Sequence, residues 1–128
     1  MPKAVGVGGV FWKFKEPATL SAWYAEHLGI QPGGGGSLIF EGPESNGMCV
    51  LGYFPHDSSY FGGGEQRSMV NFRVDDLDGL LANLATAGVR IDPARENYSY
   101  GKFAWIWDPE GNRIELWQPS ASEDDDNT

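Results

Sequence analysis

The chain has 128 residues, 41% apolar and 21% charged, which suits one globular domain or two small modules sharing a core and excludes a disordered protein. Nine basic residues against 18 acidic ones give a net charge of −9, which argues against nucleic acid or an anionic membrane as partner. A single cysteine, Cys49, excludes an internal disulfide framework. No apolar run approaches a membrane span, and the start MPKAVGVGG lacks the order of a signal peptide, so the expected location is the cytoplasm.

In chain order, Val5–Phe14 alternates Val10, Trp12 and Phe14 against Phe11, Lys13 and Lys15, and predicts a strand. Pro17 suits a first helical turn, Leu20, Trp23, Tyr24 and Leu28 recur at helical spacing, and Gly29 follows as a C-cap. The run Gly33–Gly36 has no Lys-Ser/Thr pair after it, so it reads as a connector rather than a phosphate cradle. Ser37–Phe40 and Met48–Phe54 are expected as strands around the turn Gly42–Gly47, followed by a polar, glycine-rich stretch from Pro55 to Gln66.

The order then restarts. Met69–Val74 is an alternating strand, and Asp75–Ala87 is a helix on Leu77, Leu80, Leu81 and Leu84, closed by Gly88. A short strand Val89–Ile91, a polar loop, and strands Phe103–Trp107 and Arg113–Gln118 about the turn Asp108–Asn112 complete the pattern. Residues 121–128 form an acidic tail expected to be disordered. Val10–Phe14 lies over Val70–Val74 with an offset of 60, a weak internal repeat. The expectation is one domain over 1–120, made of two modules at about 5–56 and 67–119. The strands alternate, so each sheet should keep one face on its helices and one open, and two such curved sheets enclose a cleft.

The run Trp23-Tyr24 with His27-Leu28-Gly29-Ile30, the closing Asp108-Pro109-Glu110-Gly111-Asn112-Arg113-Ile114-Glu115-Leu116-Trp117, and their place in a duplicated pattern together resemble the vicinal oxygen chelate superfamily of glyoxalases, bleomycin-resistance proteins and extradiol dioxygenases. The resemblance covers roughly residues 5–119. It implies an α+β fold of two βαβββ modules, with mostly antiparallel sheets wrapped around a cleft, helices outside, and often a dimer. It also implies a metal held by one ligand from the first and one from the last strand of each module. Those positions fall at about Gly9, Leu51, Met69 and Glu115, and only Glu115 is suited to a divalent ion. No metal and no cofactor are therefore expected.

If Glu115 faces the cleft, strand parity places Arg113 and Trp117 with it and turns Ile114 and Leu116 to the helices. A five-residue loop at Asp108–Asn112 sets Trp105 opposite Glu115 and Trp107 opposite Arg113. The same parity sends Phe11, Lys13, Asn71 and Arg73 to the cleft, with Cys49 and Tyr53 flanking Leu51. The expected ligand-binding residues are Phe11, Lys13, Asn71, Arg73, Trp105, Glu115 and Trp117, an aromatic wall with a few polar groups. Glu115 is the best candidate for a catalytic group.

Each feature has a plainer reading. Glu115 can pair with Lys13 or Arg73 across the sheet, and the tryptophans can fill a dimer interface. His27 suits a helix C-terminus, His56-Asp57 a solvated loop, and Cys49 an inert packing position. Tyr98, Tyr100 and Gly101 make either a lid or a surface loop. The favoured reading is a glyoxalase-like homodimer that binds a small organic, aromatic molecule. The alternatives are a lyase, isomerase or dioxygenase-type enzyme using Glu115 as base or metal ligand, and a protein–protein interaction module.

Overall fold

The computed structural model describes residues 2–39, 50–62 and 65–120. The expected turn at Gly42–Gly47, Cys49, Gly63–Gly64 and the acidic tail lie outside the described residues. Eight strands and two helices follow in the order β1 (Ala4–Phe14), α1 (Pro17–Leu28), β2 (Gln31–Pro32), β3 (Ser37–Ile39), β4 (Val50–Pro55), β5 (Ser68–Val74), α2 (Leu77–Thr86), β6 (Ile91–Tyr98), β7 (Gly101–Trp107) and β8 (Arg113–Pro119). The class is α+β with a mixed sheet, as expected. The chain divides into two compact units, residues 9–69 and residues 1–8 with 70–128, and β1 contributes to each.

In the 9–69 unit the strand order is β2-β3-β4-β1, with β1 parallel to β4. Pro17 opens α1 at its first turn, and Gly29 closes it at φ +70° with its N–H on the Ala25 carbonyl. Tyr24 on α1 stacks on Trp12 and Phe14, and Phe14 stacks on Tyr53 at 4.9 Å. This corrects one expectation. Tyr53, and by alternation Leu51, share the helix side of the sheet, while Phe54 packs with Phe11 on the other. The Pro55–Gln66 stretch is also less polar than expected, because Phe61 is 1% exposed and Tyr60 stacks on Phe54 at 4.8 Å.

In the other unit β5, β8, β7 and β6 follow the first stretch of β1 in that order, with β5 parallel to β8 and the rest antiparallel. Asp76 caps α2 by accepting the Gly79 N–H, and the Gln118 side chain takes the Leu77 N–H at 2.7 Å. Leu77 and Leu81 sink into a core with Val74, Ala104 and Leu116, against which Phe72, Ile106 and Ile114 pack. Burying a leucine of this kind is worth about 1.5–3 kcal/mol, so the apolar stripe of α2 holds one face of the sheet. The parallel β5–β8 pair is built from alternating strands because α2 covers only that face.

The expected loop after Ile91 is instead β6. Among the described residues it pairs only with β7, and the register shifts between Ile91 and Arg95, which leaves room for Pro93 at the sheet edge. The β7–β8 turn has the expected five-residue loop. Asp108 accepts the N–H groups of Glu110 and Asn112, and Gly111 takes φ +86°.

Candidate functional site

The closing hairpin sets Trp105 opposite Glu115 and Trp107 opposite Arg113, the register anticipated from the loop length. Parallel pairing adds Asn71 opposite Glu115 and Arg73 opposite Trp117. Since Phe72, Ala104, Leu116, Ile106 and Ile114 face α2, these partners occupy the opposite face of the same unit.

At its centre Glu115 is 1% exposed, and its two carboxylate oxygens accept different donors. Asn71 Nδ2 donates to Oε1 at 2.6 Å, and Trp105 Nε1 donates to Oε2 at 2.9 Å. A buried carboxylate needs such donors, because desolvation without them costs several kcal/mol. Beside this pair, Arg113 Nη2 donates to Asp92 Oδ2 at 2.7 Å, and its guanidinium lies 5.1 Å from the Trp105 ring centre. The Ala94 N–H and then Arg113 hold the Asp92 carboxyl below its ordinary value. Arg90 caps Trp107 at 3.9 Å.

Trp117 stacks on Phe103 with rings 3° from parallel, and its Nε1 donates to the Tyr100 carbonyl at 3.2 Å. Two glycines make room for it. A Cβ at Gly8 would meet Asn71 Oδ1 and Trp117 Cε3, and one at Gly101, which sits at φ +146°, would meet Trp117 Nε1. Tyr98 and Tyr100 stack on each other and edge onto Phe103, extending the aromatic surface at the β6–β7 turn.

Five of the expected binding residues, Asn71, Arg73, Trp105, Glu115 and Trp117, thus share one face of one unit. Phe11 and Lys13 belong to the 9–69 unit, where Phe11 meets Phe54 edge-on at 5.9 Å and Lys13 Nζ lies over Phe61 at 5.3 Å. Neither Arg90, in the expected short strand Val89–Ile91, nor Asp92, in the expected loop after it, has a place in the site expected from the sequence. Their signal is the alternation of Arg90 and Asp92 about Ile91, the first residue of edge strand β6.

The donor set does not fit the metal that the superfamily resemblance implied. By register, the counterpart of Glu115 in the first repeat is Gly52, which pairs with Phe11 as Glu115 pairs with Asn71. The expected position, Leu51, pairs with Val10 and lies on the helix side. Gly9 and Gly52 carry no donor, Met69 offers only a thioether, and both Glu115 oxygens are engaged. Among the described residues, no three His, Cys, Asp or Glu side chains come together as a metal site.

Two parallel-paired strand–helix–strand units with this face define a glyoxalase-like α+β protein. The chain belongs to the Glyoxalase/Bleomycin resistance protein/Dioxygenase superfamily, whose model matches residues 15–116. Among solved structures, it is similar to methylmalonyl-CoA epimerase from Mycobacterium tuberculosis, with 20% identity and a TM-score of 0.67 over 95% of this chain and 93% of that one. A substituted methylmalonyl-CoA epimerase from Streptomyces coelicolor, in complex with 2-nitronate-propionyl-CoA, gives 15% identity and a TM-score of 0.69 over 93% and 99%. The Mn(II)-bound glyoxalase from Novosphingobium aromaticivorans gives 16% identity and 0.58 over 94% of this chain and 42% of that one. At these identities the likeness is one of fold. No curated protein matches the sequence.

Proposed function

We propose that the chain binds a small organic molecule with a flat apolar body against the β5-β8-β7 face of the 70–128 segment, without a metal anchored by four protein ligands. The observation that carries this reading is that face itself, where Trp105, Trp107, Trp117 and Phe103 gather around the buried Glu115 carboxylate and its two donors, opposite the α2 core. Half-buried Phe103 and Trp107 supply ring surface, and half-buried Arg73 meets an acidic or oxygen-bearing group of the ligand. Trp105 and Trp117, 2% and 6% exposed, form the floor beneath them. The small-molecule ligands named for the solved epimerase structures support the ligand class.

Glu115 serves this site by position. With both oxygens accepting, it fixes the Asn71 amide and the Trp105 indole and so sets the shape of the floor. The enzyme reading, with Glu115 as base, differs in one observable: Glu115→Gln would retain binding and abolish turnover of the bound molecule.

Isothermal titration with 2-naphthoate tests the proposal. Saturable binding is expected, weakened about tenfold by Trp107→Ala and by Arg73→Gln, the loss of roughly one ring contact or one charge-assisted hydrogen bond. Binding that neither substitution alters would overturn the placement, and no saturable binding would overturn the reading.

A further inference from the structure

The three cations of the 9–69 unit, Lys13, Lys15 and Arg67, converge on a single open pocket of about 530 Å³, completed by His56 and Glu65. Lys13 and Lys15 alternate along β1 and its exit, and the Lys13 N–H donates to the Arg67 carbonyl at 3.0 Å, which brings Arg67 alongside. Lys13 Nζ rests over the Phe61 ring. Among the described residues, none of the three lies within 4.0 Å of a carboxylate, whereas Arg95, Lys102 and Arg113 each do. Gathering three cations without ion-pairing any of them is unfavourable in a chain of net charge −9 that has acids to spare, unless an anion completes the set.

We infer that this pocket is a binding site for the phosphate group of a small organic phosphomonoester. The lining carries three positive charges against one negative from Glu65, so its formal charge complements a dianion. Lysine and arginine are the side chains suited to phosphate, the first as point charges and the second as a planar fork. Next to the pocket lies a hollow of about 320 Å³ that shares all three cations and adds Glu16, Phe14, Thr19 and Leu20, so pocket and hollow together still carry one more positive charge than negative. It gives the organic part of the ester an apolar seat. The amino end of α1 borders the hollow and carries no side-chain cap, so its positive dipole end adds to the attraction. This site belongs to the other unit from the aromatic face and stands independently of the function proposed for that face.

Isothermal titration of the full chain with phenyl phosphate, benzoate and inorganic phosphate, at physiological salt, tests the assignment. Phenyl phosphate is expected to bind at one site per chain, about tenfold tighter than benzoate, with Arg67→Gln and Lys15→Gln each weakening it about tenfold. Both side chains are exposed, so the variants fold, and Lys3→Gln, the same charge change in the other unit, should alter affinity less than about twofold. Inorganic phosphate is expected to compete with phenyl phosphate. Three outcomes would each overturn the inference: benzoate binding as tightly as phenyl phosphate, Lys3→Gln weakening binding as much as Arg67→Gln, or no saturable phenyl phosphate binding up to about 10 mM.

Discussion

Replacing Glu115 separates the polar centre of the aromatic face from the packing around it. Glu115→Ala leaves the Asn71 amide and the Trp105 indole as buried donors without their acceptor. Each stranded donor costs about 1–3 kcal/mol, so the loss is about 2–6 kcal/mol before any cavity is counted. For a domain of this size that lowers Tm by roughly 3–4 °C per kcal/mol, a fall of about 6–24 °C. Glu115→Gln keeps the volume and has a route to repair. Its amide oxygen can accept from Trp105 while its amide nitrogen donates to Asn71 Oδ1, provided the Asn71 amide flips. Asn71 Oδ1 has no hydrogen-bond partner among the described residues, so the flip breaks nothing at that atom. The expected loss is about 1 kcal/mol or less. Scanning calorimetry measures the two variants, and the Trp105 indole N–H resonance reports whether its acceptor survives. Equal destabilisation by Ala and Gln, or an Ala variant within about 1 kcal/mol of the parent, would refute the argument that the carboxylate is held by these two donors.

Acid stability should follow three aspartates. Hydrogen bonds from Arg95, the Ala94 N–H and Asn112 are the largest causes that hold Asp78, Asp92 and Asp108, respectively, below the ordinary value of 3.8. Depressed folded-state values stabilise the protein above 3.8 and lose that contribution as pH falls through the folded values, so the urea midpoint should be flat from about pH 7 to 5 and drop below about pH 4, less steeply in Asp92→Asn. Protein purified after growth with added manganese, zinc and nickel should retain well under one equivalent on dialysis; about one tightly held ion per chain, lost on Glu115→Ala, would contradict the donor-set argument. Trp23 and Leu28, at 48% and 59% exposed on α1, are apolar surface that a second copy would cover, so sedimentation is expected to show a homodimer at micromolar concentration, and Trp23→Glu to shift it toward monomer.

What the sequence made legible was period and punctuation. The alternation of β1, β5, β7 and β8, the leucine spacing of α2, and the glycines at 29 and 88 with φ near +70° and +82° each follow from local rules. The hairpin register followed from loop length, which fixes pairing once the turn is known. Other features depend on partners distant in sequence. Strand β6 shows little period because, among the described residues, it pairs along one edge and mixes the largely buried Asp92 with exposed Arg95, which meets Asp78 as a surface ion pair rather than as a core signal. Leu51 was assigned a cleft position by counting along the strand, whereas the parallel register with β1 puts Gly52 there. The basic pocket was invisible because 52 positions separate Lys15 from Arg67, and only the backbone bond from Lys13 to Arg67 closes that gap.

The internal repeat explains why one unit keeps a polar centre and the other does not. The pair Lys13–Phe54 corresponds to Arg73–Trp117, so each unit sets a cation opposite an aromatic ring. The pair Phe11–Gly52 corresponds to Asn71–Glu115, and here the two have diverged completely. In the first unit a ring occupies the space and the residue opposite must be glycine, because a Cβ at Gly52 would lie 2.7 Å from Phe11 Cδ1. That ring also packs edge-on against Phe54 and Tyr60, so it does not yield easily to a larger neighbour. In the second unit an amide and a carboxylate fill the corresponding positions and are joined by a hydrogen bond. A metal shared by both repeats needs donors from both, and the Phe11–Gly52 pair removes them from one. The ligand proposed above, held against aromatic surface and one fixed polar centre, needs a polar pair in a single unit, and Asn71 with Glu115 is such a pair.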